Sequence, residues 1–122
     1  MDAALPFRPQ GTGVLLGVTN NAPAAASQPQ GPNAGDVCYL VFNPSATAAD
    51  AFIGYGPTSA AAISAAIVPT LAAPVPNATG QGAGAFLAPA GTLQVVSLAP
   101  GMFFAGRSLG SCSIWIQPGY GV

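Results

Sequence analysis

The near absence of charge constrains this chain more than any other feature. Its 122 residues include two Arg and three Asp, with no Lys, Glu or His. Ordinary soluble domains are about 25% charged; here Asp2, Arg8, Asp36, Asp50 and Arg107 make up 4% of the residues. General acid–base catalysis draws on His, Glu, Asp or Lys with a tuned pKa, so only an Asp pair or an Asp-activated Ser or Tyr remains. Metal sites need clusters of His, Cys or carboxylate, and two Cys with three scattered Asp make none. Phosphate neutralisation needs Lys and Arg, which two Arg and a net charge of −1 do not supply. The expectation is a non-enzyme with no cofactor, no metal and no nucleic-acid partner.

Low charge also bears on solubility. A free protein usually keeps its net charge away from zero. A surface destined to be covered by neighbouring subunits has no such need, so the composition suits a component of a large assembly. A soluble domain clothed in Ser, Thr, Asn and Gln is the alternative. The 16 Gly and 13 Pro approach a low-complexity composition, but 51% hydrophobic residues with clustered aromatics argue for a folded core. The length fits one domain. Met1-Asp2 opens without a basic segment, so no secretory signal is expected. The most apolar stretch, residues 60–75, is interrupted by Ser64, Pro69, Thr70 and Pro74, which argues against a spanning helix.

Along the chain, residues 1–11 are polar and Pro-rich and predict an extended N-terminal arm, either laid on a neighbouring subunit or frayed. Residues 12–122 are expected to form a single β-sandwich domain. Strands are expected at 12–19, 37–43 (VCYLVFN, apolar on both faces and therefore central), 50–55, 85–87, 92–98, 102–105 and 112–117. Cys112, Ile114 and Ile116 would share one face of the last strand, and Ser113, Trp115 and Gln117 the other. A short Ala-rich helix is expected over 58–67, capped by Thr58 or Ser59. Long loops at 20–35 and 69–84, a Pro100-Gly101 type II turn, a turn at 106–110 and a tail from Pro118 complete the outline. Six or seven short strands with a single helix predict an all-β fold, a β-sandwich or jelly-roll-like sandwich with long loops.

No local motif carries chemistry. Gly11-Thr12-Gly13 precedes a strand, whereas a phosphate-binding loop follows one and opens a helix. Ser111 and Ser113 have no His to activate them. Asp36 and Asp50 flank strands, where Asp serves turns. Cys38 and Cys112 are either two buried thiols or one disulfide, the latter suiting a secreted surface protein. The aromatics sit mostly in strands and predict core packing; a carbohydrate-binding sandwich would instead show Trp115 on a sheet face. Phe7, Arg8, Arg107 and Tyr120 are the candidate interface residues, because Tyr and Arg are enriched at interface hot spots.

Three segments carry a resemblance: Pro6-Phe7-Arg8-Pro9, the run from Ala51-Phe52-Ile53-Gly54-Tyr55-Gly56-Pro57-Thr58 into the Ala-rich stretch, and Ile116-Gln117-Pro118-Gly119-Tyr120-Gly121. In these the chain resembles the capsid cement (decoration) proteins of short-tailed bacteriophages of the Bordetella phage type. The resemblance implies a jelly-roll-like sandwich that self-associates as a dimer or trimer on the outside of an icosahedral head. There it would clamp neighbouring copies of the major capsid protein, in a virion assembled in the host cytoplasm, without membrane contact. It supplies no catalytic or cofactor residues. A tail or head-fibre component fits the same features.

Overall fold

A computed structural model describes residues 7–31, 37–44, 50–67 and 84–120. The strands are β1 (Arg8–Pro9), β2 (Val14–Val18), β3 (Val37–Phe42), β4 (Ala51–Gly56), β5 (Gly84–Ala88), β6 (Leu93–Leu98), β7 (Phe103–Ser108) and β8 (Cys112–Tyr120), with helix α1 (Ser59–Ala65) between β4 and β5. They form an antiparallel five-stranded sheet, ordered β1-β8-β3-β6 with β2 also on β8, and a three-stranded sheet ordered β5-β4-β7. The fold is all-β, as the strand pattern predicts.

The pairings are nested. β2 pairs with β8, Ser27 forms a two-way bridge with Phe104 of β7, β3 pairs with β6, and β4 pairs with β5. The Ser27 bridge is closed by hydrogen bonds of 2.9 and 2.8 Å in the two directions. Strands β3–β8 and β4–β7 join these pairs edge to edge. First with last, second with second-last and so inward is a ribbon folded double and rolled up, the topology of a jelly roll.

Period-two alternation explains why the two sheets stack. Leu16 and Val18 of β2, Val37, Tyr39 and Val41 of β3, and Ile114 and Ile116 of β8 point inward from the larger sheet. Ala51, Ile53, Phe86, Ala88 and Phe104 meet them from the smaller one. Tyr39 and Phe104 cross the gap edge to face, ring centres 5.1 Å apart. The Tyr39 hydroxyl donates to the Ala99 carbonyl at 3.2 Å, so this core tyrosine buries its ring without orphaning its polar end. Asn43, fully buried at the end of β3, donates from its side chain to the Ala88 carbonyl at 3.0 Å and from its backbone to Thr92 at 2.9 Å. It thereby ties the larger sheet to the β5–β6 corner.

Several elements run beyond or short of their sequence expectations. β8 continues through Pro118 to Tyr120, because the Pro ring leaves the carbonyl free and Gln10 donates to it at 3.0 Å. β7 continues to Ser108, whose N–H donates to Thr19 at 2.9 Å, so the expected 106–110 turn shrinks to the Leu109 corner. In the expected arm, Arg8 and Pro9 pair with Tyr120 and Gly119 of the same chain; residues 1–6 lie outside the described residues, as do most of the 69–84 loop and part of the 20–35 loop. The helix is shorter than the 58–67 expectation. Thr58 caps it, its hydroxyl accepting from Ala61 N–H at 3.1 Å. Pro100-Gly101 turns as predicted, with Gly101 at φ 78°.

The helix lies on the outer face of the smaller sheet, with Ala62 and Ala66 packed on Ala105. The approach is close enough that a Cβ at Gly54 would stand 2.4 Å from the Ala62 carbonyl oxygen. A Cβ at Gly17, on the other sheet, would meet nothing within 4 Å. Gly54→Ala is therefore expected to cost about 1–3 kcal/mol of folding stability, and Gly17→Ala close to nothing, when the two are compared by urea denaturation. Equal effects would mean that α1 does not seat on β4 as described.

The Tyr39 phenol is pushed up by burial, a rise only partly offset by backbone hydrogen bonding at Met102 and Gly101. Its raised folded pKa makes a stabilising contribution that is complete below the unfolded tyrosine pKa and is lost as pH rises through the folded one. Stability should thus fall from about pH 10 upward, and Tyr39→Phe should flatten that fall. An unchanged alkaline limb in the variant would rule out Tyr39 as its source.

Candidate interaction surface

The faces turned away from the core decide what this molecule can meet. On β8, Ser113, Trp115 and Gln117 point away from the core shared by Ile114 and Ile116. Pairing register then fixes their neighbours. Leu15 stands opposite Trp115, Trp115 opposite Phe42, and Phe42 opposite Leu93. Four large apolar side chains form one row across β2, β8, β3 and β6, with exposures of 63%, 37%, 39% and 61% in that order. Adjacent strands lie about 4.8 Å apart, so the row is about 14 Å long.

The setting of the row is neutral. Its flanking positions on the same face include Gly17 and Ser113 on one side, and Gln117, Leu40 and Val95 on the other. The Gln117 side-chain amide is already committed, donating to the Pro118 carbonyl at 3.1 Å and to Gly11 at 3.4 Å. The Phe7 ring sits against Gly119 farther along β8 and extends the apolar surface toward the end of the sheet.

The four sequence-predicted interface residues are only partly brought together. Arg8 and Tyr120 face each other in the β1–β8 register, beside Phe7. Arg107 lies on the other sheet, opposite Phe52, and its Nε donates to the Asn20 carbonyl at 3.1 Å, holding the chain after β2 against β7. That bond gives it a structural task. Leu15, Phe42 and Leu93 were not singled out from sequence. The signal that finds them is register, which requires knowing that β2, β3 and β6 flank β8 and its neighbours in this order.

Two depressions among the described residues have no charged residue in their lining. One of about 430 Å³ is lined by Gln10, Gly11, Thr12, Gln30, Gly31 and Tyr120. A second of about 420 Å³ lies between β2 and residues 21–25, with Gly17, Ala22 and Pro23 among its walls. Asp50 accepts from Ala90 N–H at 3.0 Å and so holds the β5–β6 turn, the role Asp favours beside strands. Among the described residues no group of three His, Cys, Asp or Glu gathers, and no helix is long and apolar enough to cross a membrane. Comparison with protein families, with curated proteins and with solved structures returns no significant match.

The same register corrects the disulfide alternative. Cys38 lies opposite Gly119 of β8, while Cys112 opens that strand opposite Val18. Seven residues of strand separate the two positions by about 23 Å, against about 7 Å at most between the Cα atoms of a bridge. Cys38 is buried and Cys112 half-buried. Burial pushes the Cys112 thiol up, reinforced by the Asp50 charge and offset by a Ser108 hydrogen bond. Alkylation without reductant should therefore label both thiols once the chain is unfolded, and in the folded protein should label Cys112 slowly at neutral pH and faster as pH rises. A chain that takes no label when unfolded would carry a disulfide and contradict this fold.

Proposed function

We propose that this chain is a structural virion protein that binds the outside of an icosahedral phage capsid and stabilises contacts between capsid subunits. The observation that carries the reading is the exposed Leu15–Trp115–Phe42–Leu93 row on an uncharged sheet face. A contiguous apolar surface of this kind marks a place where another protein is met. The composition supports it, because a net charge of −1 from five charged groups suits a surface covered in an assembly. The resemblance in the three segments around Arg8, Gly54 and Gly119 points the same way. Partners in this reading are the major capsid protein and further copies of the chain, as dimer or trimer.

The mechanism is additive. Burying apolar surface is worth about 25 cal/mol per Å², so one copy gains a modest contact. Symmetry repeats that contact over the shell, and a protein bridging two subunits engages the second at high effective concentration. Because it binds the assembled lattice and not the dispersed subunits, it shifts the equilibrium against rupture. Few charges make the attachment weakly dependent on salt.

A density gradient of the native source tests this. The chain is expected to co-sediment with filled heads near a fixed whole-number ratio to the major shell protein, and to stay bound through moderate salt. Recovery only at the top of the gradient would reject the reading, and recovery with tails would move it to a tail or head-fibre component. One observation favours a second reading: Trp115 and Phe42 stand side by side on an open sheet face, as in carbohydrate-binding sandwiches. The committed Gln117 amide and the lack of charge on that face weigh against it. Glycan-induced shifts in Trp115 emission would restore it.

A further inference from the structure

Beside the C-terminal end of β8, polar side chains from three segments converge on a floor of bare backbone. Residues 10–12 and 30–31 are joined there by the Thr12–Gln30 bridge, hydrogen-bonded in both directions. Gly11, at φ 85°, lies so close to its neighbour that a Cβ on it would collide with the Gln30 carbonyl and the Gly31 Cα. Two glycines packed backbone to backbone bring no side chain to fill the space beside them. Around that space stand Gln10, Thr12, Gln30 and Tyr120, and the depression measures about 430 Å³, within the range of small-molecule sites.

We propose that this depression binds a sugar acid, a pyranose carrying a carboxylate, with Arg8 meeting the carboxylate and the two glutamines, Thr12 and Tyr120 meeting the ring. The site is separate from the Leu15–Trp115–Phe42–Leu93 row, and it does not rest on attachment to a shell.

Register places the cation. Arg8 stands directly opposite Tyr120, so the two side chains leave the sheet on the same face. Gln10, two residues along, follows them. Arg107 is committed to the Asn20 carbonyl at 3.1 Å. Arg8 makes no hydrogen bond or ion pair with another described residue. Asp50, the one carboxylate among the described residues, is occupied at the β5–β6 turn. Among the described residues Arg8 is thus the uncommitted cation, and it stands on the face that lines the depression.

The neutral lining selects the rest of the ligand. Side-chain amides and hydroxyls both donate and accept, as the neighbouring hydroxyl groups of a sugar do. The side chains of Gln10, Thr12 and Tyr120 make no hydrogen bond to another described residue, and Gln30 gives a long one of 3.4 Å to the Gln28 carbonyl. Tyr120 adds a ring for the C–H face of a pyranose. A lone carboxylate, such as an acidic peptide presents, would use Arg8 and leave four neutral groups to water. A phosphate group carries about 1.5 to 2 charges against one cation. A sugar acid engages all five side chains with one charge on each side.

The test is an NMR titration of the intact, nitrogen-15-labelled chain with glucuronate. A single sugar has few atoms with which to offset the cost of association, so the expected Kd is on the order of 1 mM. Shifts are expected at the Gly11, Thr12, Gly31 and Tyr120 backbone amides and at the Gln10 and Gln30 side-chain amides, with Trp115 emission unmoved. Glucose supplies the ring without the charge, and acetate the charge without the ring; each should bind about tenfold more weakly or less. Arg8→Gln, at an exposed edge position, should erase the preference for glucuronate over glucose. Thr12→Val should weaken the binding of both. Absence of shifts at these groups up to about 50 mM glucuronate overturns the proposal. So does glucose binding as tightly, which would make this a site for neutral sugars, or acetate binding as tightly, which would make it a site for any carboxylate. An Arg8→Gln chain with its selectivity intact also overturns it. Shifts at Trp115 in place of these groups would put the sugar on the outer face of the larger sheet and overturn it too. None of these outcomes alters co-sedimentation with heads, which is judged separately.

Discussion

Everything in the larger sheet hangs on the register of β8. This nine-residue strand has β1 and β2 along one edge and β3 along the other. Side chains alternate along it, so a slip of one residue would exchange its two faces. Ile114 and Ile116 would move to solvent and Trp115 into the gap between the sheets. The difference between a filled core and an exposed row is thus a single step of pairing. Leu16 opposite Ile114 and Val41 opposite Ile116 supply the apolar contacts that choose the correct step.

Much of the strand content is legible in the sequence because it rests on local signals. VCYLVF is apolar on both faces and becomes β3, flanked on both edges. The Pro100-Gly101 turn is written in its own residues. Thr58 caps the helix from the position that a hydroxyl before an Ala-rich run suggests. What local signals miss is pairing. Arg8-Pro9 reads as a loose arm because Pro breaks ladders, yet an edge strand tolerates it. Residues 118–120 read as a tail for the same reason. The exposed row as a row escapes sequence reading, since its members come from four separated strands and Leu15, Phe42 and Leu93 look like core residues one at a time. Trp115 facing away from Ile114 is visible by alternation; that it has apolar neighbours on both sides is not.

A chain with so few charges must settle every polar debt by other means. Backbone groups do most of it, and the buried side chains are short and neutral: Asn43 bonded across to Ala88, Ser108 accepting from Gly110 N–H at 3.1 Å. The helix contributes no ion pairs and packs through methyl groups, its tightest contact made possible by a glycine on β4. Close backbone approach replaces the long amphipathic side chains that usually mediate helix-on-sheet packing. The groups whose ionisation opposes the fold, the Tyr39 phenol and the Cys112 thiol, titrate at the alkaline end.

The nested pairing has a consequence for how the molecule is made. β8 is the latest of the strands in chain order, and it sits between β2 and β3 in the sheet. During synthesis, β2 and β3 leave the ribosome many residues before the strand that joins them. Until residues 112–120 emerge, their inward apolar faces and their edges lack the partner that closes the sheet, a condition that invites pairing with other chains. Non-local pairing of this kind also folds slowly. The nascent chain therefore stays an open ribbon until β8 has emerged, and its commitment to a finished sandwich waits for that one strand.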